Sequence, residues 1–343
     1  MRDIYRILDA NLNRAREALR VIEDFARFGM DDPHLSGWAK EMRSRLQLLA
    51  GKLPAEELLA SRDTPGDVGT ETTTATERHR PDAPAVATAA FKRLAEALRS
   101  LAEFTKILSA PLSDDFERLR YESYTFEQAL ARRLAGRKAF GQVRLYVLLT
   151  AALCRSDPLE VARAAIRGGA DCIQVREKQM ADRELLALAH RLRELTAEAE
   201  VLLIVNDRPD IAAAIGADGV HLGQDDLPPT AARRVLPRGI VGLSTHNPAQ
   251  LKAALSEPID YLAVGPMFPT TTKDAGPLAG PGLLREALAA SSLPVVAIGG
   301  INADNVGELA AAGAKCVAVC SAVIAAPDPA AAAARIKERL TAE

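Results

Sequence analysis

Several short strings in this chain put polar and charged residues where an extended segment would end. In QVREK (174–178), residues two apart share a face, so Gln174, Arg176 and Lys178 point the same way. Two cations and an amide on one face suit a diphosphate or a strongly anionic intermediate. VNDR (205–208) and DGVHLGQDD (218–226) add Asn206, Asp207, Asp225 and Asp226. Carboxylates gathered without cysteine favour a hard cation such as Mg2+, whose shell a substrate phosphate would complete. Taken singly each Asp is weak evidence, because Asp commonly caps helices. His221 reads as a residue satisfying a hydrogen bond within its strand rather than as a metal ligand.

Further along, GLSTHN (242–247) offers Ser244 and His246. GPMFPTTTKDAGP (265–277) carries Thr270, Thr271, Thr272 and Lys273, which supply hydroxyl and backbone donors and one mobile cation. That composition suits a phosphate lid, although the isolated string could equally be an ordinary loop. IGGI (298–301) and CSAV (320–323) place glycines and small residues where a backbone must approach a phosphate. Amides near Gly300 and Ser321 would be neutral donors at a helix N-terminus. A metal with diphosphate on one side and a monophosphate site on the other implies two phosphorylated substrates.

The elements that must hold these residues are eight short apolar runs: 143–149, 172–176, 201–206, 219–222, 240–244, 261–265, 295–300 and 316–321. Alanine-, leucine- and arginine-rich stretches of helical spacing separate most of them. Strands alternating with helices imply parallel βαβ units, and eight imply an α/β fold of the (β/α)8 TIM-barrel class. Such a barrel keeps its active site at the strand C-termini and carries phosphate in the loops after strands seven and eight.

The chain has 343 residues, more than a barrel needs, so an independent second core is expected. The division predicted is a helical domain at 1–135, a linker at 136–142 and the barrel at 143–343. With 43 Lys and Arg against 45 Asp and Glu, no global field points to nucleic acid or an anionic membrane. Aromatics at 4% leave little for base stacking. No apolar run approaches a membrane span of roughly 18 residues, and the N-terminus lacks the apolar core of a signal peptide. The four cysteines have no zinc spacing, and Cys316 and Cys320, roughly 13 Å apart on one strand, cannot bridge. These features lead us to expect a reduced, soluble, cytoplasmic protein.

In the front half, the amphipathic segment 9–28 recurs 79 residues later at 88–107. Arg14, Glu17, Ala18, Leu19, Arg20 and Phe25 match Arg93, Glu96, Ala97, Leu98, Arg99 and Phe104. A duplicated helical unit with pseudo-two-fold symmetry is expected. Between the copies, residues 61–84 are too polar to pack and too long for an ordinary connection.

The ordered motifs QVREK, VNDR, DGVHLGQDD, GLSTHN, GPMFPTTTK, IGGI and CSAV, over roughly 140–325, resemble those of thiamine-phosphate synthases. The resemblance implies a transferase of thiamine biosynthesis that joins hydroxymethylpyrimidine diphosphate to thiazole phosphate, with Mg2+ as cofactor. It implies that Gln174, Arg176, Lys178 and Asn206 contact the pyrimidine diphosphate and that Asp207 and Asp226 ligate the metal. Ser244 and Lys273 become further diphosphate or pyrimidine contacts, and Arg176, Lys178 and Lys273 the cations that act on the reaction. Thr270, Thr272, Gly300, Cys320 and Ser321 correspond to the thiazole-phosphate site. Two departures from many relatives are Arg208 in place of a second Asp and Cys320 in place of valine.

The strings LDANLNRAREALRVIEDFARF, RDTPGDVGT and FKRLAEALRSLAEF are similar to a helical domain found ahead of some members. That domain is linked to phosphorylation of hydroxymethylpyrimidine monophosphate, which brings ATP in as a partner. No nucleotide-binding loop is visible, and Asn11, Asn13, Arg14, Asp67 and Thr70 are the candidates for such chemistry. A structural or dimerising module is the alternative, and a homo-oligomer is compatible with both. For the barrel the competing readings are a thiazole tautomerase and a non-enzymatic thiamine-phosphate sensor.

Overall fold

The computed structural model describes residues 1–68, 79–270 and 277–342. The chain divides between Ala131 and Arg132 into two units, each with its own core.

The first unit is helical: α1 (Arg2–Asp24), α2 (Pro33–Ala50), α3 (Ala55–Ala60), α4 (Ala83–Thr105) and the larger part of α5 (Ala110–Phe140). On α1 the stripe Leu8, Leu12, Ala15, Leu19 and Ile22 is buried, the pattern a 3.6-residue period demands. Two of these helices start with a side-chain cap and a proline in the first two helical positions. Asp32 accepts from the amides of His34 and Leu35, and Asp82 from that of Ala85. Both aspartates satisfy first-turn donors that the helix itself leaves open. α1 and α4, the two copies of the repeat, pack along each other. The equivalence extends beyond them: adding the same 79 residues to Pro33, the start of α2, gives Leu112, in the first turn of α5. The repeated unit is therefore a helix pair. Aromatic packing closes it: Trp38 stacks on Phe126 with ring centroids 4.8 Å apart, and Phe91 meets Phe126 edge-on at 5.1 Å.

In the second unit, eight parallel strands close into a barrel in sequence order. They are β1 (Leu145–Leu149), β2 (Cys172–Val175), β3 (Leu202–Asn206), β4 (Gly219–Leu222), β5 (Ile240–Thr245), β6 (Tyr261–Val264), β7 (Val295–Ile298) and β8 (Cys316–Val319). Alternate residues of each strand face opposite sides. On β1, Leu145, Val147 and Leu149 pack outward against helices, whereas Tyr146 and Leu148 fill the barrel interior with Cys172, Ile204, Ala263 and Val296. All four cysteines are free thiols. No described helix is long and apolar enough to cross a membrane.

The stretch 136–142, expected as a linker, is helical through Phe140. One glycine, Gly136, costs a helix only about 1 kcal/mol, and burial of Phe140 outweighs it. The Phe140 ring is fully buried and stacks on Tyr261 at 3.8 Å and 5°. Nearby, Arg133 Nη1 donates to the carbonyl of Ile259 at 3.2 Å, and its Nε lies 3.8 Å from Asp260 Oδ1. Asp260 is 1% exposed, pairs with Arg233 through its other oxygen and accepts there from the amide of Val241.

Candidate active site

The parallel register brings the strand ends together at one mouth. Leu148 pairs with Gln174, Asn206 with His221, and Ser244 with Ala263. Their C-terminal ends and the following loops enclose a cavity of about 1010 Å³.

A hydrogen-bonded chain crosses the barrel beneath it. Gln174 Nε2 donates to Tyr146 Oη, the Tyr146 and Tyr261 hydroxyls are 3.0 Å apart, and Tyr261 Oη is 2.8 Å from His221 Nδ1. His221 Nε2 lies 2.8 Å from Ser244 Oγ. Burial pushes both phenols well above their ordinary pKa, so both keep their protons. An amide nitrogen at one end fixes the polarity. Tyr146 must donate to Tyr261, Tyr261 to Nδ1, and Nε2–H to Ser244, because the reverse leaves the buried Tyr146 O–H with no acceptor. The Ser244 proton is then left to point into the cavity. His221 is thus a strand residue with both ring nitrogens engaged, as its sequence position suggested.

Two polar atoms in this wall have no hydrogen-bond partner among the described residues: Gln174 Oε1 and Asn206 Nδ2. Their side chains belong to residues 2% and 8% exposed, and both line the cavity. Buried polar groups are normally satisfied, so one acceptor and one donor in the same cavity wall define what a ligand must present.

The carboxylates stand across the mouth. Asp207 Oδ2 is 2.9 Å from Lys178 Nζ, and the Asp207 carboxylate lies within hydrogen-bonding reach of Asp226. Asp226 also accepts from the amide of Gly223 at 2.6 Å. Partial burial, then Asp207, raises the Asp226 pKa above the usual carboxylate range. Two facing carboxylates that disfavour each other's charge fit a divalent cation between them. Among the described residues no cluster of three or more His, Cys, Asp or Glu forms, so water and substrate oxygens would supply the other ligands, as Mg2+ prefers. Asp207 has φ +61°, a left-handed backbone unusual for a residue with a side chain, held by its amide donating to the carbonyl of His221 at 2.8 Å. Arg208, the departure noted in the sequence, is occupied by Asp182 and Asp210. Asp225 also lines the cavity, with no bond to the pair.

On the far side, Gly299 and Gly300 have φ +101° and +67°. A Cβ on Gly300 would stand 2.5 Å from the Pro269 carbonyl oxygen and one on Gly299 2.7 Å from Pro266, so only glycine lets the two loops nest. The nesting is hydrogen-bonded, the amides of Met267 and Phe268 donating to Ile298 and Gly299. Thr270, Cys320 and Ser321 line the same side, Ser321 opening the short helix Ser321–Ile324. Burial raises the Cys320 thiol to about 11, so it is a protonated wall residue and no nucleophile.

Arg176 completes the set of predicted residues that line this cavity. Thr272 and Lys273 lie outside the described residues. Sequence reasoning missed Gln224, whose Nε2 donates to the Ser244 carbonyl at 2.6 Å, as well as Asn302 and the two tyrosines. A tyrosine on the inward alternation of an apolar strand was the available signal. In the helical unit, Asn11 and Arg14 line a separate cavity, Asn13 and Asp67 do not, and Thr70 is outside the described residues.

Residues 145–323 match the family model described as thiamine monophosphate synthase. The chain belongs to that family. Residues 6–129 match a second model, the ThiD2 family. A thiamine-phosphate synthase of Thermosynechococcus vestitus is 43% identical over 345 aligned residues, 98% of this chain and 95% of that protein. One from Nostoc punctiforme is 40% identical, covering 95% and 91%. One from Rhodopirellula baltica is 39% identical, covering 94% and 88%. Among solved structures, a thiamine phosphate pyrophosphorylase of Pyrococcus furiosus is 38% identical at a TM-score of 0.54, covering 58% of this chain and 95% of that one. Membership in the thiamine monophosphate synthase family makes the chain a transferase of thiamine biosynthesis.

Proposed function

We propose that the barrel joins 4-amino-5-hydroxymethyl-2-methylpyrimidine diphosphate to thiazole phosphate, releasing diphosphate and leaving thiamine phosphate. The observation that carries this reading is the pair of unpartnered atoms in the cavity wall. An aminopyrimidine presents an amine donor and a ring-nitrogen acceptor, matching in type the unpartnered Gln174 Oε1 and Asn206 Nδ2. Ser244, oriented by His221, offers one more donor at the same wall.

In the reaction the C–O bond to the diphosphate breaks first, leaving a benzyl-like cation stabilised by the electron-rich ring. Arg176 and Lys178 stabilise the charge that develops on the departing diphosphate. Mg2+, held by Asp207 and Asp226, would screen that same charge as a Lewis acid. The thiazole nitrogen then captures the cation and forms the C–N bond. Its phosphate is held on the other side by amides and hydroxyls at Gly300, Thr270 and Ser321. Thr272 and Lys273 keep the phosphate and diphosphate roles that the family motif gives them. No step needs a protein nucleophile. A tautomerase or a sensor would have no use for the Lys178–Asp207–Asp226 group. The match of residues 6–129 supports a second activity, phosphorylation of hydroxymethylpyrimidine monophosphate by ATP, which makes the barrel's substrate.

The test is mass-spectrometric detection of thiamine phosphate from purified protein, Mg2+ and thiazole phosphate. The pyrimidine is supplied as diphosphate or, in parallel, as monophosphate with ATP. Product in both arms is expected. Product from the diphosphate alone would reduce the helical unit to a structural role, and none in either arm would refute the synthase reading.

The hydrogen-bonded chain yields its own prediction. Tyr261→Phe removes the link between Tyr146 and His221, so Gln174 and Ser244 lose their fixed orientation. kcat/KM for the pyrimidine diphosphate should fall about tenfold, the cost of one buried bond left unmade, with KM for thiazole phosphate unchanged. An equal rise in both KM values would indicate general loosening instead of positioning.

A further inference from the structure

The repeat of the helical unit builds a second cavity of about 590 Å³ between α1 and α4. Its lining is the repeat itself: Arg14 and Glu17 on α1, Arg93 and Glu96 on α4, each 79 residues from its counterpart. Residues at equivalent positions of the repeat thus line the cavity from both helices. Ala18 and Ala97, also equivalent and both buried, line it too and add no bulk.

These four charges make no ion pair or hydrogen bond among the described residues. The repeat contains its own comparison. Arg20 and Arg99, the other matched arginines, lie outside the cavity and are paired, Arg20 near Glu23 and Asp24, Arg99 with Glu103 and Glu117. The arginines that structure uses are thus distinct from those that face the cavity. Asn11 breaks the symmetry, since its counterpart is Ala90. It is 7% exposed and lines the cavity, with Nδ2 donating to the Ile7 carbonyl at 2.8 Å and Oδ1 unpartnered among the described residues.

We propose that this cavity is a ligand site for a small phosphorylated molecule bearing N–H donors. Two exposed guanidinium groups lining one cavity suit a phosphate dianion. Two carboxylates and the Asn11 oxygen are acceptors only, so they would repel a bare anion and require donors on the rest of the ligand. The inference rests on the reading of residues 6–129 as acting on a pyrimidine phosphate and adds where in the helical unit that molecule binds.

Isothermal titration of the full-length protein tests it, with hydroxymethylpyrimidine monophosphate and inorganic phosphate as probes. The double variant Arg14→Ala, Arg93→Ala should weaken one class of site for the pyrimidine probe at least about tenfold. Arg176→Ala should act on the other class, in the barrel. Arg20→Ala, Arg99→Ala removes the same charge from the same helices and should leave both classes intact. Glu17→Gln, Glu96→Gln should weaken the pyrimidine probe and strengthen inorganic phosphate, a reversal that misfolding cannot produce. Unchanged binding in the Arg14, Arg93 variant, or an equal loss in the Arg20, Arg99 control, would overturn the site. Absence of thiamine phosphate synthesis with this binding pattern intact would instead count against the barrel reading alone.

Discussion

Replacing Asp207 and Asp226 together by alanine is expected to lower Mg2+-dependent formation of thiamine phosphate by about a thousandfold or more. Loss of one preorganised electrostatic contact to a departing oxyanion costs about a hundred- to a thousandfold, and this variant loses the whole carboxylate pair. Their removal also frees Lys178, now 2.9 Å from Asp207, to bind the diphosphate ground state. The variant should accordingly retain affinity for the pyrimidine diphosphate while losing turnover. That separation of KM from kcat distinguishes lost leaving-group stabilisation from lost folding. Full activity in the double variant would sink the proposed metal role of both residues.

Gly300→Ala should raise KM for thiazole phosphate about a hundredfold, with little change in that for the pyrimidine diphosphate. The new Cβ would stand 2.5 Å from the carbonyl oxygen of Pro269 and 2.7 Å from that of Phe268, at φ +67°. Both obstacles are backbone, so the two loops must part. A displacement of about 1 Å at a positioning element can cost about a hundredfold. The carboxylates lie on the opposite strands and keep their geometry. Steady-state kinetics with each substrate varied separately reads the difference, and equal KM values in variant and parent would show that the glycine serves packing only.

Much of this site was legible because a parallel barrel converts sequence order into spatial order. QVREK, VNDR and QDD each close a strand or follow one, so their polar residues had to converge at the mouth. What could not be read was the interior. Tyr146 and Tyr261 sit in strands whose other residues are apolar, and only the structure shows their hydroxyls meeting across the barrel, with His221 next in line beyond Tyr261. The left-handed Asp207 was equally hidden, since its conformation is set by a bond to the neighbouring strand. In the front half the repeat was visible as a string, whereas only the fold shows that Arg14 and Arg93 make no ion pair among the described residues. The boundary also escaped: Gly136 and the polar GRK look like a hinge, yet the hydrophobic ring four residues on keeps the helix going.

The unbroken α5 decides where the two units can be cut apart at the bench. The family match begins at residue 145, and a recombinant barrel cut there would lose Arg133 and Phe140. Tyr261 would lose its stacking partner, and Asp260 Oδ1 would have no counter-charge at 3.8 Å. An inactive fragment made in this way would say nothing about dependence between the halves. The informative cut falls after Ala131, where α5 is severed but the barrel keeps its stopper.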